Sequence, residues 1–381
     1  MSSHRRRLAL VFAALPLVFY AYACGDDPTS PSAEEEDGGG RDGGGTTDED
    51  TGNGRVDSGD IDSGKSEDAG DGGEPEPECV GNPLVPDGGS PDGGVTVAFA
   101  NLRAIGTGQF LDGPQFIDDG SDGGAIVYSE VTSQAIVRNG PDGGARVVLR
   151  ATGNNNLPIG NAAAGGFIYT TLARFPGPGG GVLRMLLDGG APTGFDGGGA
   201  NSPNDAVGSS KGFVYFTDPA FQGGGASTGV YRLAPDGGVT SITTFAGVGT
   251  NQADGIALTA DGSTLYVGFF DARRITRYAV DANGVAANPQ VLTFTPADNP
   301  TGIAVDVAGN LWIAENGNGV DGRIEVVSPA GKKWGEIPFP DSRPTGIAFG
   351  GKDNKTAYIT TERGDDPGTL YVLPIRCAGV R

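Results

Sequence analysis

Apolar residues come along this chain in short bursts separated by Gly, Pro, Asn and Asp. Six bursts share one form, a run of apolar positions with an aromatic near the centre: AIVYSE (125–130), FIYTT (167–171), FVYFTD (213–218), TLYVGF (264–269), NLWIAE (310–315) and TAYITT (356–361). Their aromatics are Tyr128, Tyr169, Tyr215, Tyr266, Trp312 and Tyr358, at steps of 41, 46, 51, 46 and 46 residues. No amphipathic helical period interrupts them. Short strands bounded by turn formers at this repeat length predict stacked four-stranded units. The expected fold is all-β: a six-bladed β-propeller, each blade a four-stranded antiparallel sheet, with a central channel whose opening is the place for function.

Each unit begins with its innermost strand, where small residues suit a crowded axis. These strands read GIALT (255–259), GIAVD (302–306) and GIAFG (346–350) in the last three units. The aromatic strand comes second. A third follows as GVYRLA (229–234), RITRYAVD (274–281) or RIEVVSP (323–329), and an outer one as VTSITTF (239–245), QVLTFT (290–295) or WGEIPF (334–339). PDGG and its relatives at 86–89, 91–94, 141–144 and 235–238 are tight-turn sequences, because Gly accepts positive φ and Pro fixes one dihedral. VTVAF (95–99) and LYVLPI (370–375) are expected to complete one blade together. Such closure hides the sheet edges that would recruit another chain, so a monomer is expected.

The N-terminal quarter has a different character. His4, Arg5, Arg6 and Arg7 precede an apolar run from Leu8 to Ala23 that ends at Cys24. This order is that of an export signal, and the run is short for a membrane span. AYAC (21–24) resembles a bacterial lipoprotein box, which makes residues 1–23 a signal peptide and Cys24 a lipidated first residue anchored in a bilayer. Residues 24–78 then form an acidic, Gly-rich tether. From 26 to 78 there are 19 acids, three bases and 13 glycines, a net charge of 3 − 19 = −16. So polar a stretch cannot repay the entropy of ordering. Residues 79–381, the propeller, carry 28 acids and 20 bases, or −8, which argues against nucleic-acid binding. The expected location is the bacterial cell envelope, on the periplasmic or cell-surface face. Cys79 opens the folded region and Cys377 nearly ends it. Ring closure brings such ends together, and an exported chain permits a disulfide between them.

The residues just before the innermost strands carry the candidate chemistry. In chain order they are Asp112-Gly113-Pro114, Pro158-Ile159-Gly160, Pro203-Asn204-Asp205, Ala253-Asp254-Gly255, Pro300-Thr301-Gly302 and Pro344-Thr345-Gly346. From the middle residue of the last five to the strand aromatic the spacing is 10, 11, 12, 11 and 13 residues. One side chain per blade therefore reaches a common mouth. Two carboxylates near one axis repel, and a hard cation such as Ca²⁺ relieves the repulsion through carboxylate, amide and water oxygens. Asp112, Asn204 and Asp254 are the expected metal ligands. A cation there polarises a carbonyl or phosphoryl oxygen.

NSPNDAV (201–207) with GFVYFTDPAF (212–221), DGIALTADGSTLYV (254–267) and TGIAVDVAGNLWIAE (301–315) resemble successive repeats of the SMP-30/gluconolactonase/LRE-like family, including its diisopropylfluorophosphatase-like members. The resemblance covers most of 100–375. It implies a six-bladed propeller with a divalent cation, often calcium, at the channel, and hydrolysis of lactones or phosphotriesters. A first-blade Glu of the family falls on Asp112, one methylene shorter. The family's asparagines fall on Asn204 and on Asp254, which adds a charge. The family's Asp that serves as ligand and base or nucleophile falls on Thr301, a poor base and a weak nucleophile without an activating group. No histidine follows His4 to activate it. Asp254 and Asp205 then stand as catalytic candidates with Thr301, while Asp218 reads as a turn cap and Glu315 as a residue behind the mouth. The leading expectation is a calcium-dependent hydrolase of small lactones or esters. The alternative is a non-catalytic propeller lipoprotein that binds a ligand or partner, or a purely structural one.

Overall fold

A computed structural model describes residues 79, 81–85, 94–221, 227–246, 251–292, 294, 296–317, 321–364 and 366–381. The export segment, Cys24 and the acidic tether lie outside the described residues.

Two strands precede the ring, β1 (Val95–Thr96) and β2 (Arg103–Gly108). Blade 1 consists of β3 (Leu111–Ile117), β4 (Ala125–Glu130), β5 (Ala135–Asn139) and β6 (Val147–Ala151). Blade 2 consists of β7 (Asn156–Ala164), β8 (Phe167–Arg174), β9 (Gly180–Leu186) and β10 (Thr193–Asp196). Blade 3 holds β11 (Ala206–Gly208), β12 (Val214–Asp218), β13 (Ser227–Leu233) and β14 (Val239–Ala246). Blade 4 holds β15 (Ala253–Leu258), β16 (Thr264–Phe269), β17 (Arg274–Val280) and β18 (Ala286–Val291). Blade 5 holds β19 (Pro300–Val305), β20 (Leu311–Glu315), β21 (Gly322–Val327) and β22 (Lys333–Phe339). Blade 6 takes β23 (Arg343–Gly350), β24 (Thr356–Glu362) and β25 (Gly368–Pro374) from the C-terminal end. The six sheets are antiparallel within each blade, and the fold is the six-bladed propeller that the period predicts.

The aromatics of the second strands fill the seams between blades. Tyr169 packs with Phe216, Tyr215 with Ile256, Tyr266 with Ile303 and Trp312 with Phe349, each pair joining neighbouring blades. Burying one such ring stabilises the fold by roughly 1.5–3 kcal/mol. Tyr128 and Tyr358 share the seam between blades 6 and 1. The seam between blades 1 and 2 is filled instead by Val127, Ile136, Ile168 and Met185.

Closure differs from the expectation. β2 forms the fourth strand of blade 6, paired antiparallel with β25 at Arg103↔Val372 and Thr107↔Thr369. VTVAF does not close that blade: Val95 and Thr96 run parallel to β22 on the outer edge of blade 5. The closing segment RAIGTG lies on the outside of the ring and needs few apolar side chains, so hydrophobicity does not mark it. In blade 4 the outer strand is β18, and Leu292 beyond it packs into the blade 4–5 seam.

The chain ends do meet, but not through a disulfide. Cys79 and Cys377 are both buried and stand beside one another with no disulfide between them. Burial, and then the Cys79 sulfur beside it, push the Cys377 thiol up. A thiol held protonated is a poor nucleophile for disulfide formation.

At the axis, side chains of one blade bond the backbone of the next. Asn161 Nδ2 donates to Gly113 O (2.8 Å), and the Thr171 hydroxyl to Asn204 O. Thr217 Oγ1 donates to Asp254 O (2.6 Å), Thr301 Oγ1 to Pro344 O (3.2 Å) and Thr345 Oγ1 to Leu111 O (2.7 Å). The innermost backbones approach so closely that a Cβ on Gly160 would stand 2.6 Å from Asp205 Cα, and one on Gly302 2.7 Å from Gly346 Cα. Blade 5 also buries a pair of acids, Glu315 and Glu325, with Asp298 N donating to Glu315 Oε2 (3.0 Å) and Lys333 Nζ 2.7 Å from Glu325 Oε1.

Two outcomes follow from these contacts. Thr217→Val strips the buried Asp254 carbonyl of its hydroxyl partner and should cost about 1–3 kcal/mol, read as a lower urea midpoint with an unchanged slope. Burial, and then the neighbouring Glu325 carboxyl, push Glu315 well above the usual carboxylate range. A raised folded value means the unfolded chain releases this proton first, so stability falls as pH rises above the ordinary carboxylate range. Glu315→Gln should flatten that decline in melting temperature; an equally steep decline would contradict the assignment.

Candidate functional site

Five innermost strands shift register where they enter the ring: between Asp112 and Gln115, Pro158 and Asn161, Ala253 and Ile256, Pro300 and Gly302, and Pro344 and Gly346. Such a bulge adds a residue to one strand and re-aims its side chains. It is the structural basis of the repeated triplets in the sequence.

Three carboxyls share this end of the channel. Burial first, and then the charge of Asp205, hold Asp112 well above the usual carboxylate range, although Gly113 N donates to its Oδ1 (2.7 Å). Burial alone raises Asp205, to about 7, against the hydrogen bonds it accepts from Ala206 N (2.9 Å) and Ile256 N (3.1 Å). Asp254 is pushed up by burial first, then by Asp112 and Asp205. Its carboxylate has no hydrogen-bond partner among the described residues, although it is only 3% exposed. Asn204 is similar. Its backbone is tied on both sides, by Gly160 N to its O (3.1 Å) and by its own N to Thr217 O (2.8 Å), while its side-chain amide has no partner among the described residues.

Buried polar groups normally find a partner in the protein or in bound water. An unpartnered carboxylate and an unpartnered amide beside two further acids make a donor set that fits a hard cation. Among the described residues no three Asp, Glu, His or Cys side chains gather round one point. A cation here would need Asn204 Oδ1 and water as well as carboxylate oxygens. The structure thus brings Asp112, Asp205 and Asp254 into one electrostatic group, with Asn204 on the intervening strand end.

Other predicted residues take different places. Thr301 Oγ1 bridges Ala314 O and Pro344 O, both at 3.2 Å, and so ties blade 5 to blade 6. Thr345 does the same between blades 6 and 1. Ile159 packs with Val131 and Ala173. Asp218 is a cap, accepting from Asn201 N (2.6 Å), Ser202 N (2.9 Å) and Ala220 N (3.0 Å). Glu315 belongs to the Glu325 pair. Sequence reasoning missed Glu362, whose charge also raises Asp112 and which bonds Asn316 Nδ2 (3.1 Å) and Arg343 Nη2 (2.9 Å). It stands one residue past the TAYITT burst.

A cavity of about 380 Å³ fills the channel on the far side of Asp205. Its walls are the later residues of the innermost strands, such as Ala163, Ala257, Ala304 and Ala348, and Val380 and Arg381 border it. Asp205 lines it, while Asp112, Asn204 and Asp254 do not. The open space and the unpartnered polar groups thus lie on opposite sides of Asp205.

The fold and this axial acid–amide cluster define a propeller with a candidate cation-binding mouth. Residues 117–363 match the SMP-30/gluconolactonase/LRE-like region, and the chain belongs to that family. The match begins after Asp112, so that residue's place rests on geometry. A pentonolactonase, XacC, of Haloferax volcanii is 31% identical over 170 residues, which are 44% of this chain and 55% of the relative. A gluconolactonase of Zymomonas mobilis is 30% identical over 182 residues, 42% of this chain and 48% of the relative. The chain thus spans about half the length of the curated relatives it matches. The crystal structure of a calcium-binding protein, regucalcin, from Agrobacterium tumefaciens superposes with a TM-score of 0.59 at 18% identity, over 75% of this chain and 99% of that one. That likeness shows the fold.

Because Asp254 is raised on folding, the unfolded chain loses its proton at lower pH, and the folded state is penalised as pH rises above the ordinary carboxylate range. Asp254→Asn removes the penalty. In chelator, the variant should melt higher than wild type at pH 8 and equal it near pH 3; a variant that melts lower at pH 8 would show a partner for this carboxylate.

Proposed function

We propose that this chain is a calcium-dependent lactonase, exported and held at the bacterial cell envelope by lipid on Cys24. The observation that carries the catalytic reading is the buried Asp254 carboxylate with no hydrogen-bond partner among the described residues. Asp112, Asn204 and Asp254 would hold the cation, and its chemistry is to polarise the ester carbonyl of a bound lactone. The names of the relatives, a pentonolactonase and a gluconolactonase, support a small lactone as the substrate class.

Asp205 supplies the proton chemistry. Its carboxyl sits at about 7, suited to a base working near neutrality. Ala206 N and Ile256 N hold its orientation and leave lone pairs free. It takes a proton from the attacking water and returns one to the departing alkoxide, so the ring opens to a hydroxy acid. Thr301 has no proton role here, since its hydroxyl is committed to Ala314 O and Pro344 O; it keeps the mouth in register. The loss of the family's aspartate at this position is thereby compatible with turnover. The basic start, the apolar run and Cys24 support the envelope location.

Chelation should abolish hydrolysis of simple lactones, and calcium should restore it while raising the melting temperature by mass action. Asp254→Ala should lower kcat/KM by on the order of a thousandfold, the loss expected when several kcal/mol of charge stabilisation are removed, with an unchanged strand signal in circular dichroism. In wild type kcat/KM should rise with pH through about 7, and Asp205→Asn should erase the rise. Full activity in chelator would overturn the reading. For the location, Cys24→Ser should release the protein from the membrane fraction.

A further inference from the structure

The mouth has two unlike sides. Next to blades 5 and 6 it is polar: Asn316 and Arg343 both donate to Glu362, and Arg273 Nε reaches Asn299 Oδ1 (3.3 Å). Next to blades 1 and 2 an apolar group stands beside the buried Glu130, whose carboxylate accepts from Arg146 Nε and Nη2, both at 2.7 Å. Ile159 occupies the ring position that the other blades fill with Asp112, Asn204, Asp254, Thr301 and Thr345. It forms a small cluster with Val131 and Ala173, separate from the seam cores, and Phe110 and Leu157 lie over it without being fully buried. Phe175, in the loop after β8, is 39% exposed, and its N donates to Asn155 O (2.9 Å), two residues before Leu157.

Phe110 adds an independent sign. Its φ is +48°, a left-handed conformation that is a genuine outlier for so bulky a residue. The backbone is pinned there by Val131 N, which donates to Phe110 O (2.9 Å). Strain of this kind gathers at ligand sites, where surrounding structure over-determines it. Here it holds a large, part-exposed ring two residues before Asp112.

We propose that Phe110, Leu157 and Phe175, backed by Val131 and Ile159, form an apolar subsite for an alkyl or aryl substituent on the lactone ring. The preferred substrate is then a lactone with a hydrophobic side chain, in contrast to the sugar lactones named for the two relatives above. Against these apolar side chains the polyol chain of a sugar lactone would give up hydration of its hydroxyls, whereas an alkyl or aryl group gains by burial. This inference rests on the lactonase reading for turnover, but the subsite itself is a binding claim.

The test compares γ-nonalactone with D-xylono-1,4-lactone, which share a five-membered ring and differ in substituent. Wild type should favour γ-nonalactone in kcat/KM by tenfold or more. In Leu157→Asn/Phe175→Ser that ratio should fall toward one, chiefly through KM, while the calcium-induced rise in melting temperature stays intact as the control for folding. Binding of the matching lactam, 5-pentylpyrrolidin-2-one, is measured by calorimetry alongside. A wild-type preference for the sugar lactone, or a ratio unchanged in the double variant, overturns the subsite and leaves the lactonase reading standing. If neither lactone is turned over, lactam binding that the double variant loses supports the subsite while the lactonase reading fails. Lactam binding that is absent, or unchanged in the variant, overturns the subsite.

Discussion

The crowding of six innermost strands around one axis governs this molecule. Backbones that approach within glycine distance leave room for little but hydrogen bonds between blades, and the Thr171, Thr217, Thr301 and Thr345 hydroxyls supply them. The site is built from the same feature. Asn204 and Asp254 offer their backbone carbonyls to these bridges and their side chains to no described partner. One residue thus fixes the register of the ring and presents a reactive group.

This arrangement sets stability against chemistry. Desolvation dominates at Asp112, Asp205 and Asp254, and mutual charge adds to it at Asp112 and Asp254. Each would be easier to fold as an amide. The fold accepts them because the seams, filled by Trp312, Tyr215 and their neighbours, stabilise the ring independently of its mouth. Blade 3 makes the trade visible. Asp205 stands where blades 2, 4, 5 and 6 have glycine, and two backbone N–H groups brace it there.

The sequence revealed whatever repeats. Aromatic second strands, the small innermost strands and the turn sequences at 141–144 and 235–238 recur because each blade solves the same packing problem. The expectation that Asp112, Asn204 and Asp254 converge came from one ring position per blade; Asp205, one residue past that position, shows its coupling to Asp112 and Asp254 only in the structure. What failed to show was particular to one place. The closing strand RAIGTG carries no apolar alternation because it lies outside the ring. Thr301 read as a catalytic candidate because spacing identifies a position and not the direction of its hydroxyl. Glu362 and Phe110 lie just outside the repeated segments, and the Phe110 backbone conformation has no sequence signature. The thiols of Cys79 and Cys377 were rightly expected to meet, but proximity alone does not make the bond.

The two ends of the described fold fasten to the same blade, one at its outer strand and one at its innermost. Asn82 Nδ2 holds Trp334 O (3.1 Å), β1 lies along β22, Arg376 Nη1 reaches Asn82 O (3.3 Å), and Val380 N holds Val305 O (2.9 Å). The contacts of Asn82 and β1 join blade 5 upstream of the strand that zips blade 6 shut. Tension applied along the chain from its N-terminal side is therefore taken up by blade 5 before it reaches β2. The joint that keeps the circle closed is sheltered from mechanical load, as the clasp of a bracelet is spared when the cord is tied to a neighbouring link.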